Sequence, residues 1–158
     1  MSLNGSFQQN KYDSHSGREV VNSRMFNAPA ENVFKAFSDP GLLKKWWGPK
    51  GFSNTIHEFD MRLGGIWRYV MHGPNGVDYE NKSEFIEINY NERIVLRHLE
   101  PDHKFLLEIT FKKIKNKTEI IWRMIFDTEK EYEEAKPFVK EANEQNLDHL
   151  EWLLNEVT

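Results

Sequence analysis

The sequence predicts an α+β fold: an antiparallel sheet of about seven strands, two short helices after the first strand, and a long C-terminal helix on the sheet's inner face. Three observations carry this prediction. Between residues 53 and 127, turn-forming residues cut the chain into segments of period two, and connections that short join antiparallel neighbours. In the last two segments Phe105, Leu107, Ile109 and Phe111, then Ile120, Trp122, Met124 and Phe126, hold one parity, while Glu108, Lys112, Glu119 and Arg123 hold the other. Finally, Val139, Ala142, Leu147, Leu150, Leu153 and Leu154 form an apolar stripe at helical spacing, which has to be buried against something.

Taken in order, Glu19 to Asn27 is a strand rich in Val, Met and Phe, closed by Ala28-Pro29. Pro29 suits a first helical turn, and Val33, Phe34 and Phe37 continue that helix until Ser38-Asp39-Pro40 stops it and caps a shorter one through Leu42, Leu43 and Trp46. Six strands follow: Ser53 to Arg62, Ile66 to His72, Asn81 to Ile88, Arg93 to Glu100, Lys104 to Lys113, and Thr118 to Asp127. Gly64-Gly65, Gly73-Pro74-Asn75-Gly76, Asn89 to Glu92, Pro101-Asp102 and Asn116-Lys117 separate them with residues that tolerate tight turns. Glu129, Glu131, Glu133 and Glu134 suit the opening turns of a helix, and Pro137 marks either a kink in it or its true start. Residues 1–17 are polar, without the apolar core of a secretory signal, and are expected to be a disordered tail before one domain over 18–158.

Composition narrows the function classes. Of 158 residues, 39% are hydrophobic and 13% aromatic, which excludes low-hydrophobicity disorder. With no cysteine, disulfide frameworks, thiolate zinc sites and cysteine nucleophiles are removed together, and a cytoplasmic location is expected. Apolar runs stop at three residues, as in Ile94-Val95-Leu96, against the ~20 that span a bilayer, so no membrane partner is expected. A net charge of −4 gives no general attraction to nucleic acid, and the lysines of 112–117 read as a solvated hairpin tip with no aromatic row beside them.

Local motifs add a resemblance. The run Arg24-Met25-Phe26-Asn27-Ala28-Pro29, then Val33-Phe34-Lys35-Ala36-Phe37-Ser38-Asp39-Pro40, then Lys45-Trp46-Trp47-Gly48-Pro49 resembles the N-terminal signature of one branch of the SRPBCC superfamily. That branch is the one similar to the activator of heat-shock protein 90 ATPase. Asp60 to Gly65 with Trp67, Gly73-Pro74-Asn75-Gly76, Phe85 to Ile88 with Arg93-Ile94-Val95, Thr110-Phe111, and Leu147-Asp148-His149-Leu150 extend the likeness over residues 19 to 157. The resemblance implies the helix-grip fold of START and Bet v 1-like proteins, a curved sheet wrapped around the terminal helix with space left between them. The superfamily places ligand carriers, cyclase-like enzymes and co-chaperones on this one scaffold.

Candidate site residues follow from parity and residue type. Trp67, Tyr69 and Met71 share one face of their strand, as Trp122 and Met124 do of theirs, and Phe105 belongs to an inward row. Large aromatics with a polar tip suit the wall of a binding cavity. Of the adjacent Trp46 and Trp47, one is expected to pack the short helix and the other to lie near an opening, and Trp47 is taken as the ligand-side residue. His57 shares parity with Thr55 and Phe59, and His98 with Ile94 and Leu96, so both are expected to point inward, where an imidazole can orient a ligand or move a proton. His72, His103 and His149 are expected at the surface, and Glu108, opposite the apolar parity, in solvent. No metal is expected because no pair of histidines has ligand spacing, and no phosphate loop, nucleophile elbow or cofactor fingerprint is present.

Three functions are consistent with these residues. The leading one is a binding module for a small apolar or aromatic molecule, with no catalytic residue, metal or cofactor. The resemblance implies a second, a chaperone partner whose ATPase the domain activates. The third is a cyclase- or hydrolase-like enzyme with His57 or His98 as base and Tyr69 as proton donor. A homodimer through a sheet edge or an apolar helix end is left open.

Overall fold

The computed structural model describes residues 17–101 and 104–157, so residues 1–16 of the expected tail at 1–17, with His15, and His103 lie outside the described residues. The described chain forms strand β1 (Glu19–Phe26), helices α1 (Ala30–Ser38) and α2 (Pro40–Trp46), and strands β2 (Ser53–Phe59), β3 (Ile66–His72), β4 (Asp78–Asn89), β5 (Arg93–Glu100), β6 (Phe105–Ile114) and β7 (Lys117–Phe126). Helix α3 (Glu129–Val157) completes it. The strands make one curved antiparallel sheet in the order β1-β7-β6-β5-β4-β3-β2. Six strands thus form a simple meander, and β1 returns to pair with β7, Phe26 opposite Thr118 and Glu19 opposite Ile125.

Local chemistry accounts for the helix boundaries. Asp39 Oδ1 accepts from Gly41 N at 2.9 Å, and Pro40, which lacks an N–H, occupies the first position of α2, where none is needed. Thr128 Oγ1 accepts from Glu131 N at 3.1 Å and so caps α3. Pro137 is not the start of α3, because the helix runs 29 residues from Glu129 with Pro137 inside it.

One face of the sheet and one stripe of α3 make the core. Leu147, Leu150, Leu153 and Leu154 pack with Phe26, Phe34, Phe37, Trp46, Phe111, Ile120 and Trp122. The opposite edge of α3 is tied to β1 by polar groups. Arg24 reaches Asp148 at 2.7 Å, Glu144 at 2.9 Å and Glu151 at 3.2 Å, Asn22 donates to Glu144 at 2.6 Å, and Lys140 Nζ donates to the carbonyl of Val21.

Two expectations about the sheet's outer face are corrected. Glu108 is 4% exposed rather than solvated. Cross-strand pairing sets Arg123 opposite it, and Arg93 closes over it from β5, with Oε2 3.2 Å from Arg93 Nη2 and Oε1 3.7 Å from Arg123 Nη1. Burial pushes the Glu108 carboxyl above its usual range, against the pull of both guanidiniums. His57 is exposed rather than inward, because the register shifts between Ile56 and Glu58, making His57 the extra residue of a bulge. An inserted residue exchanges the faces beyond it, so Ile56 and Phe59 pack on the core while Thr55 and His57 face outward.

Candidate functional site

A pocket of about 330 Å³ lies between the sheet and the first half of α3. It exists because α3 changes character along its length. From Leu147 onward the inner stripe is leucine and packs solidly, whereas the preceding inner positions are Ala135, Val139, Asn143 and Asn146, too small or too polar to fill the sheet's concavity.

Four aromatic rings form the pocket's deep wall. Trp47 stacks on Trp122 with centroids 5.4 Å apart and meets Trp67 edge-on at 4.8 Å, while Trp67 stacks on Tyr69 at 4.3 Å. Trp47 Nε1 donates to Tyr69 Oη at 3.1 Å, which fixes both rings. Trp46 points the other way, edge-on to Phe37, and its Nε1 donates to Ala36 O at 2.9 Å. The two adjacent tryptophans therefore divide the work, Trp46 in the core and Trp47 on the pocket.

Trp47 is held in place from α3. Gly48 N donates to Asn146 Oδ1 at 3.1 Å, His149 Nδ1 donates to Gly48 O at 2.9 Å, and Lys50 N donates to Gln145 Oε1 at 3.0 Å. His149 is accordingly half-buried in this clamp and not on the surface. Gly48 sits at φ +106°, where a side chain is strained, and a Cβ there would meet Met71 Cε at 2.9 Å.

The remaining walls come from His98 and Leu96 of β5, Phe105 and Leu107 of β6, Met124 and Phe126 of β7, and Asn81 and Ser83 of β4. His98 stacks on Phe105 at 4.6 Å and donates from Nε2 to Pro101 O at 3.1 Å, leaving Nδ1 3.5 Å from Ser83 Oγ. Phe52, Tyr79 and Val139, all partly solvent-exposed, mark the mouth. Among the described residues no Asp, Glu, Lys or Arg lines the pocket. Burial pushes the Tyr69 phenol well above its ordinary value, with the bond from Trp47 acting in the opposite sense, so the hydroxyl keeps its proton across the physiological range.

Of the residues singled out from sequence, Trp47, Trp67, Tyr69, His98, Phe105, Trp122 and Met124 come together in this pocket. His57 does not. It lies in a separate, shallow groove of about 410 Å³ between α2 and the free edge strand β2, beside Lys44 and Thr55. Parity reasoning missed Asn143 and Asn146, yet their helical spacing from Val139 and Leu150 places them on the same stripe, and that was the available signal. Nearby on the outer face, Asp78 Oδ1 contacts His72 Nδ1 at 2.8 Å and His72 Nε2 contacts Thr55 Oγ1 at 2.8 Å. This order of groups serves nucleophilic catalysis in enclosed sites, but here water competes for every member. Among the described residues no three His, Asp or Glu side chains are grouped to hold a metal ion, and no helix is long and apolar enough to cross a membrane.

Comparison with known proteins agrees with this architecture. A protein of Nitrosomonas europaea superposes with a TM-score of 0.82 at 22% identity, covering 89% of this chain and 96% of that one. A protein of Arthrobacter aurescens gives 0.84 at 18% identity over 90% and 89%, and one of Mycobacterium smegmatis 0.82 at 20% over 92% and 96%. At these identities the likeness shows the fold alone. No curated protein matches the chain. A family model, described as Activator of Hsp90 ATPase homolog 1-like protein, matches residues 27–155, from the end of β1 almost to the end of α3. The chain therefore belongs to the Activator of Hsp90 ATPase homolog 1-like family, on the SRPBCC fold.

Proposed function

We propose that this protein is a binding module that encloses one small, largely apolar molecule between the concave sheet and the first half of α3. The observation that carries the reading is the pocket itself. About 330 Å³ is within the range of small-molecule sites, and its wall of packed aromatics with a few polar groups and, among the described residues, no Asp, Glu, Lys or Arg is the usual composition of such sites. A catalytic reading is less well supported. His57 does not share the pocket with Tyr69, and His98 is engaged by Pro101, Ser83 and Phe105.

The direct test is a titration with the neutral fluorescent probe N-phenyl-1-naphthylamine, followed through probe emission and tryptophan quenching. Saturable binding at one site per chain is expected, with loss of affinity when Ala135→Trp fills the pocket. Absence of saturable binding would sink the proposal. The family match favours a second reading, docking on a heat-shock protein 90 chaperone to raise its ATPase rate. A pull-down with an ATPase assay decides it, and no association together with an unchanged rate would dispose of it.

A further inference from the structure

Two asparagines on the inner stripe of α3 face the pocket with opposite polarity, and the hydrogen-bond network fixes which atom each has to spare. Asn22 Nδ2 donates to Lys140 O at 3.2 Å and to Glu144 Oε2 at 2.6 Å, so Oδ1 is the atom that Asn22 turns to Asn143. Asn143 meets it with Nδ2 at 3.2 Å, and the same nitrogen lies 3.3 Å from Met124 Sδ, which leaves Asn143 Oδ1 as an acceptor. Asn146 is turned the other way. Its Oδ1 accepts from Gly48 N at 3.1 Å, which leaves Nδ2 as a donor. Each residue is 7% exposed and lines the pocket. Neither spare atom has a partner among the described residues, and neither is sealed by packing as the indole nitrogens of Trp67 and Trp122 are.

We infer that the pocket takes a molecule bearing an alcohol or phenol hydroxyl, which donates to Asn143 Oδ1 while its oxygen accepts from Asn146 Nδ2. The inference rests on the binding role proposed above and specifies the polar group of its ligand. Residues three apart on a helix are neighbours, with Cβ atoms about 5–6 Å apart, and one oxygen at about 2.8 Å from each partner spans that interval. A hydroxyl carries both functions on a single atom. An ether or ketone oxygen can answer only Asn146, and it would leave Asn143 Oδ1 covered without a donor, at the cost of its lost hydration. A carboxamide carries the two functions on separate atoms and is the competing group. The apolar body of the guest then lies by Trp47 and Met124, because Asn146 holds the residue that follows Trp47 and Asn143 touches Met124.

A matched series of probes tests this on the whole chain. 2-Naphthol donates and accepts, 2-methoxynaphthalene only accepts, 2-methylnaphthalene does neither, and 2-naphthamide is the carboxamide. Affinities are read from proton–nitrogen NMR titrations, which also follow the side-chain Nδ2 resonances of Asn143 and Asn146. Naphthol is expected to bind about tenfold tighter than the methoxy compound and tighter than the methyl one, although both are less well hydrated and an inert pocket would rank them first. It should also shift the Asn146 Nδ2 protons downfield, and Asn143→Leu should bring the naphthol-to-methoxy ratio to about one. The wild-type ranking decides the matter even if that variant does not fold. A methoxy or methyl compound binding as tightly as naphthol, or an unchanged ratio in folded Asn143→Leu, would overturn the hydroxyl inference and leave the binding role standing. Tightest binding by the naphthamide would overturn it in favour of a carboxamide guest. If none of the four bound while N-phenyl-1-naphthylamine did, this inference alone would fall. If that probe failed too, the binding role would fall with it.

Discussion

Gly65 shows how narrow the tolerance of a single position can be. A Cβ built there would stand 1.9 Å from the carbonyl oxygen of Asp60, which is backbone and cannot swing aside. Gly65→Ala is therefore expected to destabilise the protein by about 1–3 kcal/mol or more, measured as a lower midpoint in urea. Glu144 is the contrasting case, a surface carboxylate that matters through charge. The bond from Asn22, joined by Arg24, holds its carboxyl below the usual range against the opposing effect of burial. A depressed folded value contributes stability above the unfolded pKa and loses it as pH falls through the folded one. The melting temperatures of the wild type and Glu144→Gln should thus differ most near neutral pH and converge below about pH 3. A gap that persisted in acid would refute the linkage. The pairing of Arg24 with three acids of α3 was not legible beforehand, since partners 120 and more residues apart meet only through the β1 and α3 contact.

At the scale of elements, bulges and a change of helix face decided what periodicity could not. Strict alternation put His57 with Phe59 on the inner face, and one inserted residue in β2 sent it outward. The same device resolves the parity of β4, where a shift between Phe85 and Glu87 buries Phe85 and exposes Ile86. By contrast, β6 and β7 pair without a shift from Phe105↔Phe126 to Ile114↔Lys117, and there alternation located the inner face correctly. In α3, Pro137 interrupts an otherwise continuous helix on an exposed face. Pro137→Ala restores the missing N–H and removes the clash with the preceding turn, so a gain of about 1–3 kcal/mol is expected by denaturant titration. No gain would mean that the turn before Pro137 is already distorted to accommodate it. The clamp on Gly48 makes a separate prediction. Asn146→Ala removes the acceptor for Gly48 N, frees Trp47 to move, and should broaden or shift its fluorescence and weaken probe binding at modest cost in stability.

For the molecule as a whole, the pocket is a region where close packing has been given up. If that space serves a guest, filling it should exchange binding for stability. Ala135→Leu extends a methyl-bearing chain into the pocket from α3. It is expected to raise the melting temperature by about 2–4 °C while reducing the affinity for N-phenyl-1-naphthylamine. A rise in temperature with unchanged affinity would place the probe elsewhere.

The sequence by itself determined the order of elements, the antiparallel meander, the inner rows of β6 and β7, the terminal helix and the family, because each rests on neighbours in the chain and on period. It also assembled most of the aromatic wall, since Trp67, Tyr69, Trp122 and Met124 lie on unshifted stretches of strand. Only the tertiary structure decided that Glu108 is buried beneath two arginines, that His57 faces away, and that Trp47 rather than Trp46 meets the pocket. It alone revealed the buried Trp67 and Trp122 indole N–H groups that have no acceptor among the described residues. The physical reason is common to all of these. Burial and hydrogen-bond satisfaction depend on which side chains meet across strands and between sheet and helix, and a single bulge or a change of residue size along α3 alters those meetings without disturbing the pattern that names the fold.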